Sequence, residues 1–268
     1  MAATDTVLSR RTSALAAWEL PLGAAILAAD AAGPDGFRPA DVRFFFLLFT
    51  NWMGDDHLRP GADVDPTQIR RALGHLADEG LAASAGGRPP TWTLAAAGVV
   101  RLVEAITDPR TPRRFEEVLL LATVATSYAD TIAARVRSGG RGDERRVRAR
   151  LDPRGILRAE RRRLADALLD AEERRDAGPE LADAARAALS AGADPVAAAA
   201  ALEAKGLRYQ LHPVRPLREV MAALPPALRR FELERGLTLR ARAMFAPRCE
   251  DLRARIGILE RLEAELGR

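Results

Sequence analysis

Cysteine is nearly absent from this chain: Cys249 is the only one in 268 residues. A single thiol excludes an internal disulfide framework and any zinc cluster built on cysteines, and it fits a reducing, cytoplasmic setting. Lysine is as scarce, since Lys205 stands alone and the other 40 basic residues are arginine. That bias inflates the isoelectric point of 10.1, because arginine titrates so high, and a net charge of +4 by itself does not mark a nucleic-acid binder. Aromatics make up only 5% of the chain and β-branched residues are thin. The three histidines, His57, His75 and His212, are too scattered for a His-Glu-x-x-His metal site, and Asp55-Asp56-His57 reads as a polar loop. No Gly-x-Ser-x-Gly, P-loop or dinucleotide fingerprint occurs, so no enzyme constellation and no cofactor is expected.

Long apolar runs are also missing. Ala14–Ala29 follows Arg10-Arg11 as an export signal would, but Glu19 and Pro21 interrupt it. It is too short and too interrupted for a membrane span, and a buried N-terminal helix is the better reading, with no membrane partner expected.

What is present is 48% apolar residues, dominated by Ala and Leu, with abundant Arg and Glu. These are strong helix formers, so the chain is expected to be mainly α with a real core. Periodicity and punctuation predict helices near 12–31, 40–53, 66–79, 95–106, 114–137, 156–175, 179–190, 195–205, 215–223 and 226–266, the last kinked at Pro247. Only Leu81–Ser84 and Thr91–Leu94 read as strands, joined by the turn-rich tip Ala85-Gly86-Gly87-Arg88-Pro89-Pro90. Four segments are expected: 1–39, an N-terminal helix packing on the core; 40–109; a helical 110–225 with a basic flexible linker near 137–153; and amphipathic helices in 226–268.

Divided by region, the charge becomes informative. Residues 40–109 carry six arginines against nine acids, net −3, whereas 110–163 carry fifteen against seven, net +8. The excess is densest over Arg135–Arg163, where Ser138-Gly139-Gly140-Arg141-Gly142-Asp143 reads as a flexible break. Arg145, Arg146, Arg148 and Arg150 are candidate phosphate contacts there, with a solvated helix face as the alternative.

One segment carries a functional pattern. The apolar stretch Val42-Arg43-Phe44-Phe45-Phe46-Leu47-Leu48-Phe49 is followed by Asp65-Pro66, an N-cap residue and a proline suited to a first helical turn. Ile69, Leu73 and Leu76 then recur on one face, with Thr67, Arg71, Gly74, His75 and Asp78 opposite and Gln68 and Arg70 flanking. Gly80-Leu81 closes the helix and leads into the hairpin. Helix, helix, hairpin, helix is the winged-helix order. The string from Asp65 to Leu81 resembles the recognition helix of bacterial winged-helix transcription regulators. Gly87–Gly98 resembles the wing and its exit in the PadR-like and MarR-like families, with Trp92 in the aromatic place and Ala95 where Thr is usual.

The resemblance covers about a quarter of the chain. It implies a winged helix-turn-helix with a two-stranded wing and an all-helical C-terminal domain, acting as a homodimer on double-stranded DNA. Thr67, Gln68, Arg70, Arg71 and His75 would face bases or phosphates, and Arg88 would touch phosphate from the wing. An effector, if one is sensed, would lie between the Phe-rich helix and the C-terminal helices. A winged helix that contacts another protein, as an adaptor, is the alternative, because 40–109 is net negative and 54–64 is poor material for a positioning helix. Leu252, Ile256, Leu259, Leu262 and Leu266 keep a near-heptad spacing, a candidate dimer seam similar to the C-terminal helices of PadR-like regulators, or else a helix packed into its own subunit. Trp18 and Trp52 read as core residues, and Cys249 as a semi-buried thiol near the Pro247 kink.

Overall fold

A computed structural model describes residues 19–51, 64–87, 89–137, 140–204 and 215–267. Among the described residues the chain is mainly helical with one two-stranded antiparallel sheet, and it divides into two units, 1–159 and 160–268.

In the first unit, α1 (Glu19–Ala32) is buried at every position from Leu20 to Asp30, as a helix apolar all round must be. A turn at Gly36, whose φ of 103° favours glycine, brings Phe37 into an isolated antiparallel bridge with Trp92. A Cβ at Gly36 would also meet the backbone oxygen of Trp92 at 2.7 Å, so the bridge requires glycine twice over. Next come α2 (Pro39–Asn51), which packs on α1, and α3 (Pro66–Asp78), which packs on α2. β1 (Ala82–Ala85) pairs with β2 (Thr91–Leu94) in the register Ala82↔Leu94 to Ala85↔Thr91, one residue later at β1 than expected.

α4 (Ala96–Ile106) and α5 (Phe115–Arg135) follow the hairpin. One core joins Leu22 and Ile26 of α1, Phe37, Phe46 of α2, Ile69, Leu73 and Leu76 of α3, Trp92, Leu102 and Ile106 of α4 and Leu121 of α5. α5 is long and apolar enough to cross a bilayer, which the search for apolar runs passed over. Here its Leu120, Leu121, Val124 and Ala125 lie in that core.

The expected linker is a correction: α6 spans Arg141–Arg150, and its Val147 joins the core with the following Leu151. α6 packs on both α4 and α5. A second correction concerns α7 (Pro153–Ser190), which runs unbroken through Pro179, where two helices were expected, and crosses from the first unit into the second.

In the second unit, α8 (Pro195–Ala204) and α9 (Leu217–Ala223) gather Leu181, Ala185 and Leu189 of α7 into a separate core with Leu202, Met221 and Leu233. The helix is not interrupted at Pro247. The interruption lies earlier, between α10 (Pro226–Phe231) and α11 (Leu237–Glu265), where Glu232–Gly236 forms a π turn and Pro247 sits within α11. Glu232 is 7% exposed, its carboxylate pairs with Arg240, and it occupies the space a side chain at Gly236 would need.

Candidate nucleic-acid interface

The start of α3 is fixed by its own sequence. Asp65 Oδ1 accepts from the Thr67 N–H at 2.7 Å, and Gln68 Oε1 accepts from the Asp65 N–H at 3.2 Å, a reciprocal capping box. At the far end, Gly80 takes φ 71° and the Leu81 N–H reaches back to the Leu76 carbonyl at 2.7 Å. Ile69, Ala72, Leu73 and Leu76 are buried, which turns Thr67, Arg70, Arg71 and Asp78 to solvent and leaves Gln68 and His75 half-buried. Gln68 thus spends its carbonyl oxygen on the cap. Arg70 and Arg71 have no acidic partner among the described residues. Asp65 puts one carboxylate at the N-terminal cap of α3, and Asp78 and Glu79 put two at its C-terminal end. The exposed cations Arg70 and Arg71 sit between them, in the N-terminal half of the helix. Arg88 lies outside the described residues.

The hairpin after α3 is anchored by a buried ionic tie. Asp30, 3% exposed in the otherwise apolar α1, accepts from the N–H of Leu94, the last residue of β2, at 3.1 Å. Its other oxygen lies 3.5 Å from Nε of Arg135, at the end of α5. Nη2 of the same guanidinium donates to the carbonyls of Asp30 at 2.5 Å and Gly33 at 2.6 Å, satisfying the C-terminal end of α1. Burial pushes the Asp30 carboxyl above the usual aspartate range, and the Leu94 hydrogen bond and the Arg135 charge only partly offset this. Below the hairpin, Gly98 lies against the Leu81 carbonyl so closely that any Cβ would collide with it. The glycine that ends the wing-exit string thus has a packing reason. Neither Asp30 nor Arg135 was among the expected site residues. The visible hint was a lone aspartate inside an eleven-residue buried run of α1.

The basic segment separates into two groups. Arg146 pairs with Glu104 of α4 at 3.4 Å, and Arg148 pairs with Asp130 of α5 and with Glu144 at 3.4 Å. Glu144 also takes Arg137 at 3.2 Å, and the hydrogen bond from Arg137, helped by Arg148, holds its carboxyl below the usual range. Arg146 and Arg148 thus pair with acids of their own unit while their side chains stay about half exposed. Arg145 and Arg150 are exposed and have no acidic partner among the described residues, and the same is true of Arg141.

The candidate dimer seam is largely consumed within the chain. Leu259 is fully buried and Leu252 is 7% exposed, while Ile256, Leu262 and Leu266 are half-buried. α11 runs antiparallel to α7: Arg161 reaches Glu263 at 3.3 Å and Glu260 at 3.8 Å, and Arg253 pairs with Glu172. The heptad-like spacing serves an internal helix pair. Cys249, expected to be semi-buried, is fully buried in α11.

Among the described residues no group of His, Cys, Asp and Glu is arranged to hold a metal ion. Asp55, Asp56, His57, His212, Trp18 and Trp52 lie outside the described residues. Compared with protein-family models, curated proteins and solved structures, the chain matches none.

Proposed function

We propose that the first unit contains a winged helix and that the protein is a sequence-specific double-stranded-DNA-binding transcription regulator, not an enzyme, working in the cytoplasm. The observation that carries this reading is the path from α1 to β2. A helix, a bridging residue (Phe37), a second and a third helix and a hairpin follow in the winged-helix order, and Phe37 takes the place of the short third strand. α2 then serves as the positioning helix, which removes the need for one in 54–64. α3 is the recognition helix. Its capped N-terminal half offers Thr67, Arg70 and Arg71 to a major groove, where arginine pairs bidentately with guanine and each good contact is worth about 1–3 kcal/mol of discrimination. His75, one turn further, is half-buried and offers less of its ring to the groove. Leu252 and Leu259 are covered by their own chain, so the regulator works without a dimer seam through them.

The test is fluorescence anisotropy on duplex DNA, using the upstream region of its own gene and a scrambled control. The wild type is expected to prefer the former, and Arg70→Ala/Arg71→Ala to lose that preference about tenfold or more while keeping its helical circular dichroism. Equal binding by wild type and variant would remove α3 from base reading.

An adaptor role is the second reading, favoured by one observation. Phe44 is 61% exposed and Leu48 38% exposed, one turn apart on α2, an apolar pair of the kind that docks on another protein. Phe44→Ser/Leu48→Ser leaves DNA binding unchanged under the first reading; loss of a co-purifying protein together with no DNA binding by wild type would favour the second.

A further inference from the structure

We propose that the outer face of α6, made by Arg141 and Arg145, grips the backbone phosphates of duplex DNA. The inference rests on the DNA-binding reading and adds to it the surface that would supply the non-specific part of the affinity.

Three observations converge on this helix. The first is how it is held. Val147 is 1% exposed in the core of the first unit, and Arg146–Glu104 and Arg148–Asp130 fasten α6 to α4 and α5. These contacts orient the helix and neutralise two of its five arginines, so the remaining charge is displayed on a fixed support rather than on a loose tail. The second is which face is left over. At 100° per residue Arg141 and Arg145 fall 40° apart, on the side away from Val147, with Ala149 and Gly142 next to Arg145. Those two small residues leave room for a bulky, flat partner to approach the helix. Arg150 falls 180° from Arg141, on the Arg146 side of the helix, and is not part of this face.

The third is that the arrangement is unfavourable without a partner. Like charges four residues apart on a helix repel by a few tenths of a kcal/mol. On the second-unit part of α7, by contrast, Arg161, Arg163, Arg174, Arg175 and Arg186 each meet an acid, and Arg162 is the exception among the described residues. Arg141, Arg145 and Arg150 meet none among the described residues, nor do Arg70 and Arg71 on α3. A polyanion with regularly spaced charges offsets the repulsion, and the guanidinium fork matches two phosphate oxygens at once. α6 is braced on α4, the helix that leaves the hairpin, so this surface belongs to the same compact unit as α3. Residues 110–159, which carry twelve arginines against six acids, and the net −3 segment of the sequence thereby belong to one unit.

The experiment is a salt titration of duplex affinity by anisotropy, run on random-sequence duplex with the full chain. Each phosphate neutralised contributes about −0.9 to the slope of log Kobs against log salt. Arg141→Gln/Arg145→Gln is expected to weaken all duplexes alike, by about tenfold or more at low salt, and to flatten the slope by about 2. The matching double Arg→Lys variant keeps the slope, and Arg145→Gln alone flattens it by about 1, so the result does not hang on the folding of the double glutamine variant. Arg70→Ala/Arg71→Ala is expected to lose sequence preference while keeping most of the slope. A wild type that binds duplex with a slope the glutamine variants leave unchanged overturns this inference alone. A wild type that binds no duplex at low salt overturns it together with the DNA-binding reading.

Discussion

Replacing Asp30 tests the buried tie that anchors the hairpin to α1 and α5. In Asp30→Ala the N–H of Leu94 loses its acceptor at 3.1 Å and the Arg135 guanidinium faces no carboxylate. An orphaned buried donor costs about 1–3 kcal/mol, and breaking a buried ion pair from one side about 3–5 kcal/mol. Arg135 is about a third exposed and keeps its bonds to the Asp30 and Gly33 carbonyls, so water and backbone recover part of the second loss. The expected total is about 2–4 kcal/mol. Asp30→Asn is the discriminating companion. It retains an oxygen for Leu94 and removes a charge whose burial already outweighs its favourable partners, so its expected cost is about 1 kcal/mol or less. Urea unfolding followed by circular dichroism at neutral pH measures both. The pH dependence has a defined sign: with the folded carboxyl raised above its unfolded value, the native state binds more protons in that window. Wild-type stability contributed by Asp30 therefore falls as pH rises from the ordinary aspartate range through the folded value, and Asp30→Asn lacks that slope. Equal losses in the two variants, or an alanine cost below about 0.5 kcal/mol, would refute the reasoning.

Three further substitutions probe separate parts of the structure. Gly98→Ala forces a Cβ into the Leu81 carbonyl and is expected to cost about 1–3 kcal/mol in thermal or urea unfolding, whereas Gly74→Ala, with open space around it, is expected to be neutral or stabilising. Val147→Ala removes the apolar anchor of α6, and hydrogen exchange is expected to rise across Arg141–Arg150 before it rises in α3. Leu259→Ala is expected to cost about 2–5 kcal/mol with an unfolding midpoint independent of protein concentration. A concentration-dependent midpoint would return the 252–266 seam to a dimer.

The elements legible in the sequence are those whose instructions are local. Asp65-Pro66, the Ile69–Leu73–Leu76 spacing and Gly80 define α3 within about a residue, because cap, buried face and stop all lie inside the helix. The hairpin was legible for the same reason. α6 was not. Ser138-Gly139-Gly140-Arg141-Gly142 reads as a linker, and among the described residues of 140–153 only Val147 and Leu151 are buried. What holds the helix is the packing of those two residues in the core, with exposed ion pairs to Glu104 and Asp130, 42 and 18 residues away in sequence.

Proline misled twice in one direction. Pro179 and Pro247 both lie inside continuous helices, since packing of Leu181, Ala185 and Leu189 after the first, and of Cys249 and Leu252 after the second, offsets the lost donor. The break in the C-terminal helix instead falls where the Glu232 carboxylate folds over Gly236, a side-chain interaction that no local pattern announces. The leucine spacing of α11 does not say whose helix it meets, and the Arg161–Glu263 and Arg253–Glu172 pairs place α7 beside it. At the candidate site, the exposed face of α3 follows from its period, while the Phe37 bridge and the Asp30–Arg135 tie are long-range and single-residue, and so left no periodic trace.

The central claim is that the N-terminal half of α3 reads base sequence. Its most direct test is selection of a randomised duplex library by the full-length protein, followed by sequencing of the retained DNA, with Arg71→Ala selected in parallel. A recurring short motif retained by the wild type and blurred at one or two positions by the variant is the expected result. Retained DNA indistinguishable from the starting library, or the same motif from wild type and variant, would contradict it.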